Sequence, residues 1–183
     1  MKHQALLAVL LLVGACAAFG DFAGTIAQAD ALNDAEQHQE ALQFLEAALK
    51  AETAGKNRAE VLWRMARACM YLGDAAERGG AKEAQLLPLY EKGEQYGQMA
   101  IDADPSSFRG YFWKSGNAGR WGQVKGVLNA LAKAKEMQKL LAKAIELEPG
   151  DKGSFYVLGQ LYNEVPGFPL GFGNIEYAAS LGR

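Results

Sequence analysis

Two copies of one short pattern constrain the fold of this chain more than any other feature. Ala100 to Pro105 and Ala144 to Pro149 both read Ala-Ile, an acidic residue, a small or apolar residue, a second acidic residue and proline. Proline ends a helix, so each copy predicts that one helix stops and the next folds back on it. A weaker copy at residues 48–52 lacks the proline and breaks at Gly55 instead.

The segments around these copies carry apolar residues three and four positions apart, which is the spacing of an amphipathic helix. No stretch alternates polar and apolar residues for long enough to indicate a strand, so we predict an all-α protein. We expect Cys69, which lies on one stripe, to be a buried thiol. The stripes are Ala41, Leu42, Leu45, Ala48 and Leu49; Leu62, Met65, Ala66, Cys69 and Leu72; Tyr96, Met99, Ala100 and Ala103; Met137, Leu140, Leu141, Ala144 and Leu147; and Phe155, Leu158, Gly159 and Tyr162.

Small residues inside paired helices, with proline at the turn, resemble the tetratricopeptide repeat. The resemblance implies an α-solenoid, in which each helix pair buries its apolar face against the next pair. The repeat positions Ala48, Ala100 and Ala144 are spaced more widely than the usual period of about 34 residues. We therefore predict an irregular tetratricopeptide-like helical-hairpin array, with the extra length in long connections at 74–87 and 116–127.

Residues 1–16 are typical of a signal peptide, because Lys2 precedes an unbroken apolar run that ends in Val13-Gly14-Ala15-Cys16. This ending resembles a lipobox, which implies a lipid on the Cys16 thiol and membrane attachment through it. Cleavage after Ala15 or Ala18 without lipid is the alternative. We accordingly expect a bacterial cell-envelope protein on the periplasmic side, at the outer membrane in a two-membrane host.

The rest of the chain divides into a linker at 17–26 and a helical domain at 27–183. Residues 174–183 indicate a helix that has no earlier helix to pair with. We therefore expect either an incomplete C-terminal end or a final helix that packs on a partner subunit.

A narrower resemblance covers roughly residues 90–177, where Tyr111-Phe112-Trp113, Gly119-Arg120-Trp121-Gly122 and the segment 159–169 occur in order. This region is similar to the T-component of tripartite ATP-independent periplasmic transporters and to bacterial relatives of the regulator of microtubule dynamics family. Both groups have degenerate tetratricopeptide-like helices. The first implies an envelope lipoprotein that assists solute uptake.

Little in the sequence indicates catalysis. His38 is the one histidine outside the signal segment, and its neighbours Gln37 and Gln39 favour a solvated helix surface. No spacing fits a metal site, and the glycines from Gly116 to Gly126 lack the residues of a phosphate loop. The net charge of −2 argues against nucleic acid as a partner. We predict a non-enzymatic protein without cofactor or metal.

Binding is the remaining function, since repeat arrays present a concave surface lined by the first helix of each pair. Aromatic rings, amides and two arginines there favour an organic anion or an acidic peptide, although aromatics in the core and arginines on the rim are an equally good interpretation. Two alternatives remain: a small organic ligand, as in a solute-uptake accessory, and a protein partner, as in an interaction module. The sequence leaves open whether the chain forms a homo-oligomer. The candidate binding residues are Glu60, Trp63, Arg67, Phe112, Trp113, Asn117, Arg120, Trp121, Tyr156, Gln160 and Asn163.

Overall fold

A computed structural model describes residues 21–52 and 54–182, and its helices confirm the predicted all-α class. The signal segment and Cys16 lie outside these residues, so their predictions stay untested. No described residue belongs to a strand. The helices are α1 (Phe22–Asp34), α2 (His38–Leu49), α3 (Gly55–Arg78), α4 (Glu83–Ala103), α5 (Phe108–Lys125), α6 (Val127–Leu147), α7 (Lys152–Glu164) and α8 (Ile175–Leu181).

The helices pack as successive pairs, α1 with α2, α3 with α4, α5 with α6, and α7 with α8. Each second helix also contacts the first helix of the following pair, as α2 does with α3. Because α3 contacts both α1 and α5, these first helices form one layer, and the second helices form the other. This is the expected helical-hairpin array.

The predicted stripes form the core. One apolar cluster joins α1 to α4 around Leu45, Leu62 and Met65, and a second joins α5 to α8 around Leu141 and Leu158. Cys69 is buried in the first cluster, as predicted, and this burial raises the pKa of its thiol to about 12. Cys69 is therefore a protonated packing group.

The prediction of long connections is wrong. Helix α3 runs on to Arg78, and a single residue, Gly126, joins α5 to α6 with φ near 93°. The extra repeat length lies in longer helices. Three glycines of the predicted connection, Gly116, Gly119 and Gly122, are inside α5, where helices approach closely: a Cβ at Gly122 would lie 2.9 Å from the Cα of Ala130. Close packing offsets the helix cost of glycine, about 1 kcal/mol.

Both ends of the array differ from expectation. Helix α1 begins at Phe22, capped by the Asp21 side chain, inside the segment interpreted as a linker. At the other end α8 does have a partner, because it packs on α7 with the Tyr177 ring edge-on to Tyr162 at 4.7 Å. Among the described helices, none is both long enough and apolar enough to cross a membrane.

Candidate functional site

The layer of first helices carries an open groove between α3, α5 and α7. It holds a cavity of about 490 Å³, which Met137 of α6 also lines. Of the predicted residues, Phe112, Trp113, Arg120 and Gln160 line it together. The other lining residues are Met70, Tyr71, Gly116, Gly119, Gln123, Val157, Leu161 and Glu164.

Aromatic rings form one wall of this groove. Trp113 packs edge-on against Tyr71 of α3 at 5.7 Å and against Phe112 at 5.1 Å. Such arrangements fix ring orientation and contribute about 1 kcal/mol beyond the area they bury. The wall is therefore a preformed apolar surface in the open part of the array.

A second cavity, of about 370 Å³, adjoins the groove and shares Gly119, Gln123, Met137, Leu161 and Glu164 with it. It lies between α6 and the end of α7. Its walls are mostly aliphatic, and Val165 and Pro166 of the loop after α7 form one side. The remaining lining residues are Gly126, Val127, Ala130, Leu131 and Ala134. We call the two cavities together the concave groove.

Trp63 does not line the concave groove. It is only 4% exposed, and the guanidinium of Arg64 stacks on its ring at 4.0 Å. Arg67, also predicted for binding, pairs with Asp30 of α1 at 2.6 Å. Asp30 pairs with Arg64 too, at 2.9 Å, so its carboxylate joins both arginines and ties α1 to α3.

Glu60 belongs to the same ion-pair cluster, since its carboxylate lies 2.6 Å from the Arg64 guanidinium. Burial raises the pKa of Asp30, but hydrogen bonds and charges from Arg64 and Arg67 outweigh it and hold that pKa below its ordinary value. Asp30 is therefore ionised at neutral pH. We call Asp30, Glu60, Trp63, Arg64 and Arg67 the Trp63 cluster; it fills the α1–α3 end of the concave layer.

Asn117 is another predicted binding residue that the fold buries completely. Its amide donates to the carbonyl oxygens of Ala66, at 3.0 Å, and of Trp113, at 2.8 Å. It occupies the notch left by Gly93, where a Cβ would collide with the Asn117 side chain. Asn117 therefore holds α5 against α3 and α4.

Arg120 lines the groove but is already paired, with Asp74 of α3 at 3.0 Å. The other Asp74 oxygen accepts a hydrogen bond from the buried Tyr90 hydroxyl of α4 at 3.0 Å. Burial first, and then the Asp74 charge, raises the pKa of Tyr90, which remains a neutral donor. Asp74 thus connects three helices and neutralises the groove's arginine.

The remaining predicted residues lie elsewhere on the array. Trp121 donates from its indole nitrogen to Glu91 at 2.9 Å, and Lys133 stacks on its ring at 4.7 Å. Tyr156 and Asn163 line a shallow cavity of about 340 Å³ beside α8, and Gln160 borders both that cavity and the groove.

Four important residues were missed by the sequence analysis. Asp30 and Arg64 look like ordinary surface residues of a helix, and no local pattern shows that they meet across 34 positions. Tyr71 and Glu164 lie one helical turn beyond the predicted residues Arg67 and Gln160, on the same helix faces. The register that selected Arg67 would have reached Tyr71 four positions later.

His38 also departs from expectation, because it is half-buried and not freely solvated. Its ring lies 5.1 Å from that of Tyr71, and its Nδ1 is 3.1 Å from the Asn33 side-chain oxygen. Burial lowers the pKa of His38, so the ring is neutral at pH 7. The described residues contain no group of three His, Cys, Asp or Glu side chains that could hold a metal ion.

Comparison with known proteins gives the family and the fold. The sequence profile described as "Regulator of microtubule dynamics protein 1-3" matches residues 25–169. Regulator of microtubule dynamics protein 1 of Bos taurus is 29% identical over 81% of this chain and 44% of its own length. Protein 3 of Rattus norvegicus is 26% identical over 73% of this chain and 27% of its own length. The chain thus spans less than half of these relatives.

A solved structure agrees on the fold. A thermophilic TPR protein of Thermus thermophilus superposes with a TM-score of 0.62 over 78% of this chain and 64% of its own, at 17% identity. The tetratricopeptide-like assignment is therefore confirmed.

The predicted localisation in a bacterial cell envelope is wrong. The curated relatives that match are eukaryotic regulators of microtubule dynamics, which are not bacterial envelope lipoproteins. The lipobox resemblance gave this prediction from four residues, whereas the family match extends over the helical body. The matches show no transport role for this chain, and the resemblance to a transporter T-component stays a prediction.

Proposed function

We propose that this chain, which belongs to the regulator of microtubule dynamics protein 1–3 family, is an interaction module that binds a segment of a partner protein in the concave groove. One observation carries the proposal: side chains from α3, α5, α6 and α7 jointly line about 490 Å³ of open space. First helices of repeat arrays commonly use such a surface for binding.

The chemistry of the groove favours binding over reaction. Its aromatic wall offers apolar area at low entropic cost, and its amides, Gln123 and Gln160, can pair with a backbone. The fold and the family are not enzymatic ones. The relatives' names refer to microtubule dynamics, and we carry over to this chain only that its partner is a protein.

A chain segment fits the space better than a compact ligand does, because the two cavities adjoin and extend from Tyr71 on α3 to Val127 on α6. A small organic ligand, as in a solute-uptake accessory, is the second candidate. The cavity volume favours it, since small-molecule sites commonly measure about 300–1,000 Å³.

Selection from a random peptide library against the purified chain tests the proposal. Gln160→Trp fills the groove from an exposed position and loses only a hydrogen bond to the exposed Tyr156 hydroxyl. Lys139→Trp adds the same ring to an exposed position of α6 that lines neither cavity of the groove. We expect Gln160→Trp to weaken selected peptides at least about tenfold and Lys139→Trp to leave them unchanged.

Equal binding of the selected peptides to wild type and Gln160→Trp would overturn the groove as the site. If no peptide is selected, but native mass spectrometry of the protein from its host shows a bound small molecule that Gln160→Trp lacks, the second candidate replaces the first.

A further inference from the structure

We infer that the concave groove selects a basic, aliphatic protein segment, with a lysine or arginine at Glu164 and an aliphatic side chain in the adjoining cavity. This inference rests on the proposed function and adds the chemistry of the partner. It reverses the sign of the ligand charge expected from the sequence.

The positive charges that suggested an anionic ligand are already neutralised. Among the described residues that line the groove, Arg120 is the one cation, and Asp74 pairs with it at 3.0 Å. Arg67 is tied to Asp30 outside the groove. An incoming carboxylate would therefore have to displace an existing carboxylate that also accepts from Tyr90.

Glu164 is the one charged side chain of the groove that has no partner among the described residues. It lines both cavities, its residue is exposed, and no described side chain forms an ion pair or hydrogen bond with it. It is also the last residue of α7, where the helix dipole adds negative potential. The positive end of α6 nearby is joined at Gly126 to the negative end of α5, so their potentials oppose each other.

The cavity beside Glu164 determines which side chain of the partner lies next to the cation: an aliphatic one. Ala130, Leu131, Ala134 and Val165 give it small aliphatic walls, and Met137 can adjust to the shape of an inserted chain. Its volume of about 370 Å³ accommodates an aliphatic side chain together with its backbone. A cation placed at Glu164 therefore brings a neighbouring aliphatic residue to this cavity.

Charge exchange on both molecules tests the inference, with peptides selected from the library above. We expect the selected sequences to contain lysine or arginine next to leucine, isoleucine or methionine. Glu164→Gln should weaken them about fivefold, the effect of one partly exposed ion pair. Glu176→Gln, on α8, removes an exposed carboxylate outside both cavities and should leave binding unchanged.

Two further variants give the sign of the interaction. Glu164→Lys should prefer a peptide whose lysine is replaced by glutamate over the original peptide, which reverses the wild-type preference. Arg120→Gln leaves Asp74 uncompensated, so basic peptides should bind at least as tightly as to wild type. An anion-binding groove would instead lose affinity on this change.

The outcomes separate the two proposals. Acidic selected sequences, or basic ones that Glu164→Gln does not weaken, overturn the inference while the Gln160→Trp block still supports the proposed function. Peptides that bind Gln160→Trp as tightly as wild type overturn both the proposed function and the inference. A preference for vesicles of anionic lipid over every peptide, lost in Gln160→Trp, assigns the groove to a membrane surface and overturns both as well.

Discussion

The two ends of the concave layer carry similar residues, tryptophan beside arginine, but only one end leaves them next to an open cavity. At the α1–α3 end, Trp63 is buried, and the carboxylates of Asp30 and Glu60 form ion pairs with the neighbouring arginine. At the α5–α7 end, Trp113 and Arg120 border open space. The difference comes from the neighbouring first helix, because α1 contacts α3 directly and supplies the carboxylate. An aromatic residue beside arginine therefore indicates a site only when no adjacent helix closes it.

Replacing a tryptophan inside the Trp63 cluster and one outside it should give the largest contrast. Trp63→Ala removes a buried ring that three guanidinium groups approach, so we expect the free energy of unfolding to fall by about 4 kcal/mol. Trp121→Ala removes a half-buried ring from outside the Trp63 cluster and should cost about 1 kcal/mol. Urea denaturation of both variants measures this. Equal losses would contradict the closed character of the Trp63 cluster.

Removing the closing carboxylate should have the next largest effect. Asp30→Asn leaves Arg64 buried without its main counter-charge, so we expect a loss of about 2 kcal/mol at pH 7, reduced by the partial exposure of Asp30. Asp34→Asn, on an exposed position of the same helix, is the matched control and should change stability by less than about 0.5 kcal/mol.

The pH dependence of the stability lost in Asp30→Asn shows whether charge or packing causes the loss. The folded-state pKa of Asp30 lies below its ordinary value, so the contribution of the carboxylate is complete above about pH 4 and is lost as pH falls through the folded pKa. The difference in unfolding free energy between wild type and Asp30→Asn should therefore shrink below about pH 4. A difference that stays constant through this range would point to packing instead of charge.

Two helical glycines should show the smallest contrast. Gly97→Ala places a Cβ 2.8 Å from the Cα of Lys114, in the packed contact of α4 with α5, and should cost about 1.5 kcal/mol. Gly119→Ala, in the groove, meets the flexible end of the Met137 side chain, whose terminal methyl at 2.9 Å can move, and should stay within about 0.5 kcal/mol of wild type. Thermal unfolding compares them. Similar losses would mean that the groove is packed as tightly as the rest of the array.

The sequence predicts the helices better than it predicts the site. Residues such as Leu62 and Met65 carry a periodic signal, and burial follows directly from that signal. Binding residues carry no such period. Whether Arg67 is available depends on Asp30, which lies 37 positions away, and only the packing of α1 on α3 brings them together. The glycines between residues 116 and 127 did not distinguish a turn from a helix, because a turn and a close contact between helices both favour a residue without a side chain.

The buried thiol of Cys69 makes the opening of α3 measurable as a rate. Its thiol, buried and with a pKa near 12, reacts with an alkylating agent only when α3 separates from its neighbours. In a Cys16→Ser variant, the labelling rate of Cys69 therefore measures how often α3 separates from the core around it. Because Met70 and Tyr71 of α3 line the groove, a peptide bound there should slow this labelling by holding α3 against its neighbours. A peptide that leaves the labelling rate unchanged does not stabilise α3.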